Sequence, residues 1–155
     1  MEYKKITKEE LDAILEKHQK WVLEERDGEE IGGERANLRY VDLQGFDLSY
    51  ANLYKADLHF ANLRKADLKS AVLDKARLTR ANLTEANLED ATMSGAILSG
   101  ANLSFANLRK STLLGADLEG VNLYHAHLEY SLFYSACFKG AINADCAHFI
   151  DTEEN

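Results

Sequence analysis

From Ala36 to Gly140 a large apolar residue returns at every fifth position, with a small residue two places before it. The units run Ala36-Asn37-Leu38-Arg39-Tyr40, Val41-Asp42-Leu43-Gln44-Gly45 and onward to Ala136-Cys137-Phe138-Lys139-Gly140, 21 in all, with no insertion or deletion. The third place is Leu in 18 units and Met93, Phe133 or Phe138 in the rest. The first place is Ala in 16; Val41, Phe46, Ser111, Val121 and Ser131 are the exceptions. A period of five fits neither a helix nor a continuous strand. The first and third residues of a unit leave the backbone on the same side, and the other three turn the corner. Four units then close a square turn of about 20 residues, and turns stack at roughly the 4.8 Å spacing of paired strands. The pattern predicts an all-β solenoid, a quadrilateral parallel β-helix of about five turns. Its core holds Leu38, Leu58, Leu83, Met93, Leu103, Phe133 and Phe138, with the small residues beside them. No unit can bury its Leu alone, so stability comes from stacking. The chain has no Pro, as stacked backbones that need their N–H donors require.

The flanks follow other rules. In residues 1–35, Thr7 and Glu10 form a capping box, and Leu11, Ile14, Leu15, His18 and Val22 follow at helical spacing. This predicts an amphipathic helix over the open lower end of the solenoid, where exposed backbone would invite aggregation. Trp21 is assigned to the same packing, and Gly32-Gly33 to a flexible lead-in to the first unit. In residues 141–155 the register fails, because Asn143 and His148 would take the core place. Ile142, Cys146, Phe149 and Ile150 instead fall at helical spacing, which predicts a short C-terminal helix followed by a disordered acidic tail. That segment is small for the face it would cover, so a second copy sharing this end is the alternative.

Units of the form Ala-(Asn/Asp)-Leu-X-X over residues 36–140 resemble the pentapeptide repeat family, whose fold is a right-handed quadrilateral β-helix. The resemblance implies a fold, while the family's functions are few and scattered. Its best studied members are elongated acidic mimics of DNA that bind type II topoisomerases such as gyrase, protecting them from quinolones or inhibiting them. For this chain the resemblance therefore implies a topoisomerase as a partner to be weighed.

Charge weighs against mimicry. The net charge is −8, but it sits at the ends. Residues 1–35 carry 11 acids and 7 bases, and residues 141–155 carry 4 acids and no base. Within 36–140, 11 acids and 11 bases cancel; residues 36–80 have an excess of three bases and residues 81–140 an excess of three acids. A duplex presents a charge about every 1.7 Å, and a neutral tower with a basic half copies that poorly. Direct binding of nucleic acid is equally unsupported, because the bases alternate with Asp42, Asp47, Asp57, Asp67 and Asp74.

Residues 20 apart fall in one vertical file. Asp42, Asn62, Asn82, Asn102 and Asn122 form a polar file expected to bond backbone at the corners. Tyr40, Phe60 and Arg80 form another, expected to stack rings and end in a cation–π contact. The last turn is distinct: its outward places hold Tyr124, His125, His127, Tyr130, Leu132 and Tyr134, with Leu114 one turn below Tyr134. Together with Phe149 and Ile150 these make a candidate interface with the composition of a contact core, most simply for a homodimer through the C-terminal end. Should a topoisomerase be bound instead, outward carboxylates such as Asp117, Glu119 and Glu129 would carry the contact.

Catalytic chemistry has little footing. His125 and His127 lack a Cys or carboxylate at ligand spacing for zinc, and Gly95, Gly100, Gly115, Gly120 and Gly140 sit at the corner place rather than in a phosphate loop. A filled column offers no pocket for a cofactor. No cofactor and no catalytic activity are expected. The chain has no apolar run long enough to span a membrane, no apolar signal segment follows Met1, and two cysteines are too few for a disulfide scaffold. The expectation is a cytoplasmic interaction protein of unspecified partner with free thiols.

Overall fold

The computed structural model describes residues 2–28 and 30–147. The chain begins with a two-residue strand, β1 (Lys4–Lys5), and a helix, α1 (Lys8–Asp27). A second short strand follows, β2 (Val41–Asp42), then a run of single-residue bridges, and last a 3₁₀ turn, Ala144–Cys146. The bridges join residues 20 apart in parallel, from Asn37 with Asp57 up to Asn122 with Ile142. They fall into four files, so the stack has four walls, and the fold is a solenoid. The first wall carries Asn37, Asp57, Arg77, Ile97, Asp117 and Cys137, and the second Asp42, Asn62, Asn82, Asn102, Asn122 and Ile142. The third carries Asp47, Asp67, Asn87, Asn107 and His127, and the fourth Asn52, Val72, Thr92, Thr112 and Leu132.

The five-residue unit is explained by where its amides go, since each buried N–H needs an acceptor. In the unit Ala81–Glu85, the second amide donates down to Ala61 O at 2.9 Å and the third donates up to Asn102 O at 2.8 Å. The fifth donates up to Ser104 O at 2.9 Å, and the first amide of the next unit, Ala86, closes the corner on Leu83 O at 3.0 Å. Only the fourth amide lacks a backbone acceptor, and the side chain of the second residue supplies one: Thr84 N donates to Asn82 Oδ1 at 3.2 Å. This is the use of Asn and Asp at the second place. In the second wall the same side chains also bond one another, Asn62 Nδ2 to Asp42 Oδ1 at 2.8 Å and Asn82 Nδ2 to Asn62 Oδ1 at 3.2 Å.

Every fifth residue of a unit has positive φ, including bulky ones such as Tyr50 (58°), Lys75 (57°) and Phe105 (59°). A left-handed corner costs a non-glycine residue on the order of 1 kcal/mol, offset here by the ladder bonds that the corner lets form. The third-place leucines from Leu38 to Leu128 and Met93 are buried, with the Ala file beside them. Where Ser replaces Ala the hydroxyl is satisfied: Ser131 Oγ donates to Leu108 O at 2.6 Å. Tyr40 and Phe60 stack at 4.9 Å with planes 5° apart, and Arg80 lies 5.9 Å from the Phe60 ring, as the file order predicts.

At the lower end the capping box forms, with Thr7 N to Glu10 Oε2 at 2.8 Å and Glu10 N to Thr7 Oγ1 at 3.2 Å. Leu11 and His18 are buried against the first coil, and Ile14 and Leu15 pack beside them. In addition β1 pairs in parallel with β2, extending the second wall one strand below the first coil. The glycines before the first unit do more than give freedom: a side chain at Gly33 would meet the backbone of Trp21, so the segment is pressed against α1.

At the upper end two expectations are corrected. Phe133 and Phe138 are only partly buried, because no coil lies above them among the described residues. Ile142 does not open a helix. It bridges Asn122, donating to Val121 O at 2.8 Å, and is 53% exposed. The register thus persists two places longer than read, through Ala141 and Ile142. It breaks at Asn143, which is left-handed at φ 57° and donates from Nδ2 to Asn122 Oδ1 at 2.8 Å. The described part of the C-terminal segment forms a three-residue 3₁₀ turn. His148, Phe149, Ile150 and the acidic tail lie outside the described residues.

Candidate interaction surface

The outward residues of the upper coils divide by wall. Leu114, Leu132 and Tyr134 stand on the fourth wall, and Tyr130 at the corner between the third and fourth. Tyr124 is on the second wall, His125 at the corner between second and third, and His127 on the third. Tyr134 is 84% exposed, Tyr130 55% and Leu132 53%. Leu114 and Tyr124 are also exposed, whereas His125 and His127 are half-buried. The predicted residues therefore form an apolar upper part of the fourth wall and a separate corner cluster.

That cluster contains a residue the sequence reading omitted. Phe105 is 51% exposed, stacks on His125 at 5.4 Å and meets Tyr124 edge-on at 5.3 Å. Its position 20 residues before His125 in the same file was the available signal. His127 belongs to another arrangement: Arg109 Nη2 lies 3.1 Å from both His127 Nδ1 and Glu129 Oε1. Burial opposes ionisation of Glu129, but its own backbone amide, His127 and Arg109 together hold its carboxyl below the usual range. His125 and His127 thus face different neighbours. Among the described residues no group of three or more His, Cys, Asp or Glu is placed to hold a metal ion.

The candidate carboxylates, and Glu85 and Glu89 below them, are largely engaged. Glu129 pairs with Arg109, Glu85 with Arg64 and Lys65, and Glu89 with Lys69 at 3.3 Å. Glu119 reaches Lys139 at 3.9 Å, and Asp117 accepts from the Glu119 amide at 3.0 Å.

The backbone ladder ends at this level. Among the described residues no acceptor meets the amides of Leu128 and Phe138, whose counterparts lower in the stack donate to the coil above. The repeating unit itself matches a known sequence pattern: the pentapeptide repeats model, in eight copies, covers residues 34–69, 61–100 and 101–140. The chain belongs to the pentapeptide repeat family. Among solved pentapeptide repeat proteins it is similar to Rfr23 from the cyanobacterium Cyanothece 51142. The identity is 29% over 74% of this chain and 91% of that one, with a TM-score of 0.72. HetL from Nostoc sp. PCC 7120, involved in heterocyst differentiation regulation, is 28% identical over 70% of this chain and 64% of its own, with a TM-score of 0.49. A trypsin-treated form of QnrB1, a plasmid-mediated fluoroquinolone resistance protein, is 14% identical over 74% of this chain and 78% of its own, with a TM-score of 0.42. No curated protein matches the chain.

In this pentapeptide repeat protein the cap meets the solenoid at a buried histidine. His18 Nδ1 accepts the Ala36 amide at 3.1 Å, its ring stacks on Trp21 at 5.5 Å, and Nε2 is buried without a well-formed hydrogen bond. Burial lowers its pKa, with the Arg35 charge acting the same way against the opposing Tyr54 carbonyl. The unfolded chain therefore binds the proton more readily. The stabilising contribution is complete above the ordinary His pKa of about 6.5 and is lost as pH falls below it. We expect the denaturation midpoint to drop from pH 7.5 to pH 5.5, and to drop less in His18→Gln. Equal drops in the two proteins would contradict a neutral, buried His18.

Proposed function

We propose that the chain is a non-catalytic interaction module: a right-handed quadrilateral β-helix of about five turns, working in the cytoplasm, that self-associates through its C-terminal end. The observation that carries this reading is the contrast between the two ends. α1 and β1 cover the lower one. At the upper one Phe133 and Phe138 are partly exposed and Tyr130, Leu132 and Tyr134 stand out from the wall. Aromatic and aliphatic side chains gathered in one coil have the composition of an interface core. The protein partner beyond a second copy is unspecified. A topoisomerase is the alternative, and ion pairing of Glu85, Glu89, Glu119 and Glu129 argues against a free acidic surface there.

The test is light scattering on the eluting protein, together with gyrase supercoiling and quinolone-stabilised cleavage assays. The proposal expects Tyr130→Ala or Leu132→Ala to lower the mass of the assembly while the gyrase assays stay unaffected at tens of micromolar. Protection or inhibition that requires Asp117 and Glu119 would replace it with the topoisomerase reading.

A further inference from the structure

The fourth wall is self-complementary. Read upward, its bridge file is Asn52, Val72, Thr92, Thr112 and Leu132. Beside that file, the fourth places are Tyr54, Asp74, Ser94, Leu114 and Tyr134. The corner shared with the third wall carries Tyr50, Ser70, Asp90, Lys110 and Tyr130. Asp90 and Lys110 are both exposed and one coil apart, yet no ion pair within 4.0 Å joins them; Lys110 only reaches Glu89 at 3.9 Å.

We propose that two copies of the chain pair side to side and antiparallel through this wall, about a twofold axis between the levels of Thr92 and Thr112. The inference rests on the self-association read above, and it moves the centre of the contact from the upper end to the fourth wall, keeping Tyr130, Leu132 and Tyr134 within it. With the axis at that level and across the stack, each coil faces its counterpart counted from the other direction, and the third-fourth corner faces the same corner of the second copy. Asp90 then faces Lys110, and Lys110 faces Asp90, so the four charges alternate in sign around the axis. Thr92 faces Thr112, and Val72 faces Leu132 twice over. Tyr134 comes opposite Asp74. That carboxylate already accepts the Thr92 hydroxyl and, at 2.7 Å, the Ser94 amide, and the phenol O–H adds a donor to a charge the contact would bury.

Two further observations select this arrangement over the parallel one. α1 forms a ledge at the foot of the fourth wall, where Gln19 accepts from Asn52 at 3.2 Å and Glu25 pairs with Lys55. In a parallel pair the two ledges would meet. In the antiparallel pair each comes instead to the level above the other copy's Leu132 and Tyr134. Above the ledge lies an open groove of about 480 Å³ lined by Val22, Glu25, Arg26, Asn52, Tyr54 and Val72, next to where the other copy's Leu132 and Tyr134 arrive. In the parallel arrangement Asp90 and Lys110 would instead face Gly95 and Gly115, and no charges would be matched.

From Val72 to Leu132 the wall rises only about 14 Å at strand spacing. The contact is therefore at the small end of stable interfaces, and a micromolar dissociation constant is expected. The test is sedimentation velocity up to several hundred micromolar at low and high salt, on the unaltered chain and on Asp90→Lys, Lys110→Asp and the double variant. Both positions are left-handed corners that already hold Lys at 55, 65 and 75 and Asp at 90, so the variants suit the fold. Each single reversal sets like charges together and should weaken the dimer at least about tenfold. The double variant restores opposite charges and should return to within about threefold of the original, and salt should weaken the original dimer. A dimer indifferent to the single reversals, or not rescued in the double variant, would overturn the side-to-side pairing and leave association through another part of the last coil. A chain monomeric throughout would overturn both.

Discussion

Leu83→Ala is expected to destabilise the protein by about 2–5 kcal/mol, the largest single effect considered. Leu83 is fully buried, with Leu63 below it and Leu103 above it in the same file. Its neighbours cannot collapse into the space, because the backbone is fixed on both sides by Leu83 N to Asn102 O at 2.8 Å and Asn82 N to Ala61 O at 2.9 Å. The converse substitution, Ala81→Leu, adds volume to a core one small residue wide and should cost about 1–3 kcal/mol. Urea unfolding reads both. An unchanged midpoint for Ala81→Leu would mean that the Ala file does not face inward.

Gly33→Ala is the second large effect, and it concerns the junction rather than the core. An added Cβ would lie 2.0 Å from Trp21 N and 2.3 Å from Trp21 Cα. These are backbone atoms inside α1 and cannot swing aside. The segment before the first unit would lift away, loosening its bonds to the helix. Those bonds are Gly33 N to Glu24 Oε1 at 2.9 Å, Glu34 N to Lys17 O at 3.1 Å and Ala36 N to His18 Nδ1 at 3.1 Å. A cost of about 1–3 kcal/mol is expected, together with a red shift of Trp21 fluorescence as its contact with the buried His18 opens. Gly32→Ala is the control: its φ of 78° is left-handed and its Cβ would meet nothing, so it should cost about 1 kcal/mol and leave Trp21 unchanged. A Gly33→Ala protein with unaltered melting and fluorescence would contradict the close approach.

Much of this architecture was legible because the period of five is unbroken. Once residues 20 apart are placed in one file, the inward Leu and Ala, the polar ladder from Asp42 and the Tyr40–Phe60–Arg80 stack all follow from arithmetic and side-chain size. The capping box at Thr7 and Glu10 was equally readable, being a local signal. β1 was not, because Lys4–Lys5 is too short to show alternation and pairs only through its backbone with Val41–Asp42. The left-handed corners were hidden by their residues: Tyr, Lys, Phe and Arg at positive φ run against propensity and are held there by the coils above and below. Gly33 read as freedom when it is close contact, which depends on where α1 lies. At the upper end Ile142 read as helical from its spacing to Cys146, whereas the bridge to Asn122 decided its place. The exposed places of Leu114, Tyr130, Leu132 and Tyr134 could be read from the unit. The grouping that matters for association, the apolar upper part of the fourth wall and a separate Phe105–Tyr124–His125 corner, needed the four walls to be laid out.

Under the proposed function the last coil is a contact surface for a second copy. Sedimentation equilibrium of the unaltered chain, from one to several hundred micromolar, tests it most directly. The mass is expected to rise with concentration from 17.4 kDa toward twice that value. A mass fixed at the single-chain value across the whole range would contradict it.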